Sequence, residues 1–349
     1  MSYSFLQRLG WCNAFLQQLS FDELCSDSTV GHLARVTAVH RNRVEAIGVE
    51  GERSIVVPAP FQPVSQHLAV GDWVLAEDAS EHYRLRRILE PKNRIRRINH
   101  GLPQVIAANV DYLWIVTSAN EEFNVKRLQR YLALAHEFAI VPVVILTKID
   151  LCADLDDYLA RVHAVGADHV HALSVHVPAT LGVLQNYLAE GTTIALVGSS
   201  GVGKSTLVNA MFAMTLPTRE IRTHDARGKH TTTHRELFFT DGGVAIVDTP
   251  GMRELQLYDG EQGIERTFSS IVELARSCRY GDCSHENEPG CAIRQAIADG
   301  AIAQAHFDNY RKLAREEASQ QRRSLGAHAV KEHTRAYFKK IHSHNKLKY

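Results

Sequence analysis

Thr193-Ile194-Ala195-Leu196-Val197-Gly198-Ser199-Ser200-Gly201-Val202-Gly203-Lys204-Ser205-Thr206-Leu207-Val208-Asn209 passes from an apolar β-like run, through a glycine-rich turn, into a helix-like run. This is the strand, loop and helix of a phosphate-binding P-loop. Its glycines let backbone amides turn toward phosphate oxygens, and the helix N-terminus adds its positive end. Lys204 reaches the β- and γ-phosphates and the Ser205 hydroxyl can meet Mg²⁺. The expected nucleotide contacts of the loop are Gly198, Ser199, Ser200, Gly201, Val202, Gly203, Lys204, Ser205 and Thr206, with Lys204 also acting on the reacting phosphate.

Two further motifs stand around this loop. About forty-five residues on, Asp248-Thr249-Pro250-Gly251 follows the apolar run Val244 to Val247. There an aspartate can hold Mg²⁺ through water, and the Gly251 amide can meet the γ-phosphate. Upstream, Thr147-Lys148-Ile149-Asp150 closes the apolar run Val143 to Leu146. A carboxylate that accepts from N1 and the exocyclic amine of guanine finds no such pair on adenine, so Asp150 favours GTP over ATP. Thr147 stands where asparagine is usual and is expected to contribute less than the aspartate. Ser174, after the run His169 to Leu173, is placed to support the base edge.

In an ordinary GTPase the phosphate loop comes first and the base reader late, so here the halves of a nucleotide switch are exchanged. Apolar runs at 112–117, 141–146, 169–173, 193–197 and 243–247, with a helix-like stretch from Val125 to Phe138, predict a doubly wound α/β sheet. The chemical residues follow the strand ends, where such sheets bind ligands.

Gly228-Lys229-His230-Thr231-Thr232-Thr233-His234-Arg235 lies between loop and sensor, where a switch supplies a threonine to Mg²⁺. Thr232 or Thr233 is favoured. The residue after Asp-Thr-Pro-Gly is Met252, which cannot orient water, so another group must. His230 is the first candidate, with His234 and a partner-supplied group as rivals.

Cys278, Cys283, His285 and Cys291 fall within fourteen residues. Three thiolates and one imidazole complete a tetrahedral zinc site with no open position, which makes it structural rather than hydrolytic. Cys12, Cys25 and Cys152 are scattered, unlike a disulfide framework, and suit a reducing, cytoplasmic location. The N-terminal run of Leu6, Leu9, Trp11, Phe15, Leu16 and Leu19 lacks the cationic start and cleavage pattern of a signal peptide. No apolar stretch is long enough to cross a bilayer.

The 349 residues are 45% hydrophobic and 22% charged, with 39 basic and 39 acidic residues, so a nucleic-acid partner must be met by local patches. Arg84, Arg86, Arg87, Lys92, Arg94, Arg96 and Arg97 oppose a single acid, Glu90. After His306, eleven basic residues oppose four acidic ones. Such clusters are the footprint of a phosphate-backbone binder, or else a solvated face. Short β-like runs at 33–39, 43–47, 54–57 and 72–76 predict a small barrel of the oligonucleotide-binding type. The predicted organisation is an N-terminal extension (1–30) with one short amphipathic helix, an OB-fold RNA-binding domain (31–97), a circularly permuted GTPase domain (98–256) and a mainly helical zinc domain (257–349). In the last, one helix runs from Cys291 into the basic tail.

Together these motifs, in this order and over nearly the whole chain, resemble the circularly permuted GTPases called ribosome small subunit-dependent GTPase A (RsgA, also YjeQ). The resemblance implies GTP hydrolysis to GDP and phosphate, stimulated by the small (30S) ribosomal subunit during its late maturation. It further implies 16S rRNA as a partner through the barrel and zinc domains, one structural zinc ion, Mg²⁺ with GTP, and His230 as the catalytic histidine. The arginines Arg84, Arg86, Arg87, Arg94, Arg96 and Arg97 are the expected RNA contacts. Nothing in the sequence demands more than a monomer. Two other readings are an RNA-binding module for which nucleotide is only a conformational ligand, and an ATP-dependent P-loop kinase or nuclease; Asp150 speaks against the second.

Overall fold

The computed structural model describes residues 2–25, 27–79, 82–99, 102–212, 236–248 and 260–324. The chain forms two compact units: Met1–Phe123, Phe138–His163 and Ala167–Gln256 make the first, and Asn124–Glu137, Ala164–Gly166 and Leu257–Tyr349 the second.

The first unit opens with four short helices, α1 (Ser2–Arg8), α2 (Asn13–Leu16), α3 (Phe21–Cys25) and α4 (Asp27–His32), where the sequence suggested one. They are packed: Leu6 and Phe15 are fully buried, and Trp11 meets the face of Trp73 edge-on at 4.9 Å. Five strands follow, β1 (Leu33–Val39), β2 (Arg43–Gly48), β3 (Gly51–Val56), β4 (Trp73–Ala79) and β5 (His82–Ile88), with a one-turn helix α5 (Val64–His67) before β4. Their pairing runs β1-β2-β3-β5-β4 and returns to β1, which closes a barrel and removes its edges. Alternation buries Val44, Ala46, Ile55 and Leu85 inside. A separate hairpin, β6 (Arg94–Asn99) with β7 (Leu102–Ala108), spans residues 97 and 98, where the sequence suggested a domain boundary.

The chain then enters the middle of a second sheet at β8 (Tyr112–Ser118). It makes α6 (Val125–Glu137) and winds outward through β9 (Val141–Thr147), α7 (Leu155–His163) and β10 (Val170–Ala172). It returns to β8's other side as β11 (Thr193–Val197), leading into α8 (Lys204–Phe212), and β12 (Glu236–Phe239) and β13 (Ala245–Asp248) complete the order β10-β9-β8-β11-β13-β12. Strands β8 to β11 and β13 are parallel, and β12 is antiparallel to β13. The winding reverses between β8 and β11, so a ligand crevice opens at the carboxyl ends there. Ala38 of β1 pairs with Glu236 of β12, making barrel and sheet continuous.

The second unit is helical: α9 (Glu261–Thr267), α10 (Ser269–Ala275), α11 (Ala292–Ala298) and α12 (Gln304–Ser324), together with α6. Although α6 lies between two sheet strands in sequence, it packs on α9 so closely that a Cβ on Gly263 would stand 2.1 Å from Ala133 O. Gln129 of α6 accepts from Asn309 of α12 at 2.5 Å, and Arg130 pairs with Glu316 at 2.7 Å. The single helix predicted from Cys291 onward is two. At Gly300 (φ +74°) the amides of Gly300 and Ala301 bond back to Ile297 O and Ala296 O, a glycine cap that ends α11.

Candidate functional site

The phosphate loop hangs between β11 and α8. Gly198, at φ +148°, lies so close to β8 that a Cβ would come 2.2 Å from Val116 O; no other residue type fits without moving that strand. Gly201 and Gly203 take φ of +79° and +92°, which turns the loop back toward the start of α8. Val202 is buried in the core with Val116 and Leu207 and so anchors the loop from below. The Lys204 ammonium donates to Gly198 O at 2.8 Å and Ser199 O at 2.5 Å, arching over the loop it would serve. Ser205 and Thr206 occupy the first turn of α8, where orphan amides and the helix dipole favour an anion.

The segment expected to read the base meets this loop directly. Thr147 Oγ1 lies 2.6 Å from Val202 O and 3.2 Å from Thr117 O, so its hydroxyl ties β9 to the phosphate loop. Lys148 then takes a left-handed conformation (φ +61°), strained by about 1 kcal/mol or more for a side chain with Cβ. The turn presents Asp150 at the surface. The buried Ser174 hydroxyl, placed by the loop after β10, donates to the Asp150 carboxylate and, with backbone bonding and His176 nearby, holds it below the usual carboxylate range. Ser174 Oγ in turn accepts from the His176 amide at 3.1 Å. Thr147, Lys148, Asp150, Ser174 and the loop from Gly198 to Thr206 are thus gathered along the carboxyl ends of neighbouring strands. An ionised acceptor at one end and a cradle of amides with an ammonium at the other suit a purine nucleotide with a polyphosphate.

Asp248 ends β13 in register with Glu236 of β12, which puts its backbone at the same edge of the sheet. His230, His234, the threonines 231–233, Gly228, Gly251 and Met252 lie outside the described residues.

In the second unit, Cys278, Cys283, His285 and Cys291 bring their donor atoms within 4.8 Å of one another. His285 Nδ1 is 3.5 Å from both Cys278 Sγ and Cys291 Sγ, and those sulfurs are 4.0 Å apart. A tetrahedral ion with bonds of about 2.3 Å to sulfur and about 2.05 Å to nitrogen would separate its ligands by about 3.8 Å and 3.6 Å, so the cluster fits such an ion. Burial, opposed by the His285 amide and aided by the neighbouring thiols, pushes the Cys283 thiol up to about 12. Four thiol and imidazole donors crowded in this way could hold a metal. Sequence reasoning missed the clasp around them. Glu288 accepts from the Ser284 hydroxyl and amide and from the amides of Glu286 and Asn287, which draws its pKa down to about 2. Arg311 of α12 pairs with Glu286 on the same loop.

The basic segment divides. Arg84, Arg86 and Arg96 are exposed on the outer faces of β5 and β6. Arg94 instead pairs with the fully buried Asp72 at 3.2 Å, Arg87 with Glu23 at 2.8 Å, and Arg97 donates to Gln104 at 2.9 Å. Arg86, though exposed, also reaches Glu23 at 3.8 Å, so four of the six arginines expected at RNA already have a partner within the fold. Among the described residues no helix is long and apolar enough to cross a membrane.

Comparison with known proteins places this geometry. The RsgA GTPase family matches residues 88–258. Small ribosomal subunit biogenesis GTPase RsgA 2 of Vibrio parahaemolyticus is 40% identical over 318 residues, covering 90% of this chain and 86% of that one. Small ribosomal subunit biogenesis GTPase RsgA of Mesorhizobium japonicum is 42% identical over 317 residues, 89% of each. The crystal structure of YjeQ from Thermotoga maritima superposes with a TM-score of 0.59 at 27% identity, covering 81% of this chain and 96% of that one. That of YloQ, described as a circularly permuted GTPase, shares the fold at 24% identity with a TM-score of 0.57, covering 82% and 95%.

Proposed function

The chain belongs to the RsgA GTPase family of GTP-hydrolysing enzymes, and from that membership we propose that it hydrolyses GTP on the maturing small (30S) ribosomal subunit. The observation that carries the nucleotide part is the 2.6 Å bond from Thr147 to Val202, which makes base reader and phosphate loop one site despite their exchanged order. Asp150 takes N1 and the amine of guanine, supported by Ser174. The loop amides and Lys204 hold the phosphates. Ser205, Asp248 and Thr232 or Thr233 hold Mg²⁺, which neutralises charge on the phosphates when bound. Gly251 meets the γ-phosphate and His230 orients the attacking water.

The barrel, with its β1-β2-β3-β5-β4 closure, is taken as an OB-fold that meets 16S rRNA through Arg84 and Arg86, with Arg96 of the separate β6–β7 hairpin as a further contact. The Cys278, Cys283, His285 and Cys291 cluster is taken as a structural zinc site, favoured by its sulfur-rich donor set and full coordination. The protein works in the cytoplasm as a monomer.

Phosphate release from GTP, measured with and without small subunits and against large subunits and ATP, tests this. Stimulation by small subunits alone is the expected result. GTP binding without stimulation would overturn the ribosomal part, and equal turnover of ATP would overturn the role of Asp150.

A further inference from the structure

Arg35 is 1% exposed, sits inside β1 and takes no part in the nucleotide site. Its guanidinium reaches three separate pieces of the first unit. Nε donates to Gly71 O of the barrel at 3.3 Å, Nη1 to Leu9 O of the N-terminal helices at 2.5 Å, and Nη2 to Thr193 Oγ1 at 2.7 Å. Thr193 is the first residue of β11, whose far end is the phosphate loop. Its amide donates to Asp111 Oδ2 at 2.8 Å and its carbonyl accepts from the Asp111 amide at 2.9 Å, just before β8. Strand β8 in turn lies between β11 and the base-reading β9.

The surroundings leave the seam little slack. A Cβ on Gly10 would stand 2.8 Å from both Arg35 Nη1 and Gly191 O, and one on Gly71 would stand 2.3 Å from Ala108 O. Asn109 Nδ2 adds a bond to Gly71 O at 2.9 Å. Burial lowers the Arg35 pKa to about 10, while Asp111 and Asp72 favour its charge. A seam needed only for adhesion is served as well or better by apolar packing, because burying a charge costs solvation. A guanidinium with three fixed acceptors instead sets the register of the pieces it joins.

We propose that Arg35 is a positioning residue which, through the Thr193 hydroxyl, couples the state of the barrel to the phosphate loop. This rests on the reading that the barrel engages the small subunit. A displacement of β1 on binding is passed to β11 through the Arg35–Thr193 bond.

The test uses the full chain with Thr193→Val, which keeps the shape and removes the hydroxyl, and Thr193→Ser, which restores it. Turnover and GTP KM are measured alone and with saturating small subunits. The expected result for Thr193→Val is an unstimulated rate and KM within about twofold of wild type, and a stimulated kcat lowered by roughly tenfold, the scale of one hydrogen bond to a charged group. Thr193→Ser recovers stimulation. Arg35→Lys, which keeps the charge and loses the fork, reproduces the valine defect and serves if Thr193→Val melts below assay temperature. Full stimulation of a folded Thr193→Val or Arg35→Lys protein overturns the inference, as does equal loss of stimulated and unstimulated rates. Failure of the wild type to be stimulated is a different outcome, and removes the ribosomal reading itself.

Discussion

The Thr147 hydroxyl and the Val202 carbonyl meet at 2.6 Å although they are 55 residues apart. Through this contact the end of β9, which turns Asp150 outward, is held against a phosphate loop that arrives later in the chain. Circular permutation changes the order in which these pieces are made and leaves their contact intact. An asparagine at this position would offer an amide donor and a carbonyl acceptor, whereas threonine offers one hydroxyl proton, committed here to the loop. Thr147 is therefore a tether first and a base contact second.

Replacing Thr147 by valine leaves the buried Val202 carbonyl short of a donor. We expect a loss of about 1–2 kcal/mol in denaturant unfolding, with GTP affinity reduced several-fold as the loop loosens; Thr147→Ser recovers most of both. Titration with a fluorescent GTP analogue checks the second effect. Wild-type affinity in Thr147→Val would mean that Val202 packing alone fixes the loop.

The parts legible in sequence are those in which chemistry forces residue type at close spacing. Gly198 leaves no room for a Cβ, Gly203 takes a backbone conformation that favours glycine, Lys204 follows them at fixed spacing, and four thiol and imidazole donors in fourteen residues announce themselves. Strands β5 and β6 were hidden because Arg84, Arg86, Arg94 and Arg96 occupy alternate positions. That alternation reads as a charged run when only Leu85 and Ile95 mark the inner face. The partner of α6 was also hidden, since an apolar helix face does not say which neighbour will cover it. Arg35 sits in the β-like run from Leu33 to Val39 and gave no sign that its three acceptors come from distant residues.

Asp150 gives a pH signature. Its carboxyl is held below the ordinary carboxylate value in the folded protein, first by the Ser174 hydroxyl. A depressed pKa means the charged form is kept above the unfolded value and lost only as pH falls through the folded one. On the proposed reading of Asp150, guanine recognition needs that charge. Ser174→Ala should move the acid limb of GTP binding, below about pH 5, to higher pH, with little effect from ionisation at neutrality. Superimposable acid limbs for the two proteins would separate Ser174 from Asp150.

Metal loading should release protons. With the Cys283 thiol pushed up to about 12, first by burial, that thiol holds its proton at neutral pH, and an ion must displace it. Adding zinc to chelator-treated protein in weak buffer should release protons, that of Cys283 among them. The melting temperature should rise with zinc and be unaffected by Mg²⁺. Cys291→Ser should cost more than about 4 kcal/mol, as loss of a structural ion does. Zinc uptake with no proton release would mean that the Cys283 sulfur is not a ligand.

Gly263 fixes α9 to α6. A Cβ there would lie 2.1 Å from Ala133 O and 2.9 Å from Glu137 N, both backbone atoms, so no rotamer change relieves the clash and the helices must part. Parting them also strains the bond from the Gly263 amide to Glu137 Oε2, 2.9 Å long, and the buried contact of Asn309 with Gln129. Gly263→Ala should therefore lower stability by about 2–4 kcal/mol despite the better helix propensity of alanine. Gly242→Ala is the control: its Cβ would meet nothing nearer than Thr240 Oγ1 at 3.9 Å, and its effect should stay within about 0.5 kcal/mol. The two variants are compared by their midpoints in guanidinium. If Gly263→Ala unfolds at the wild-type midpoint, α6 does not pack on α9 as described, and its place among the C-terminal helices is lost.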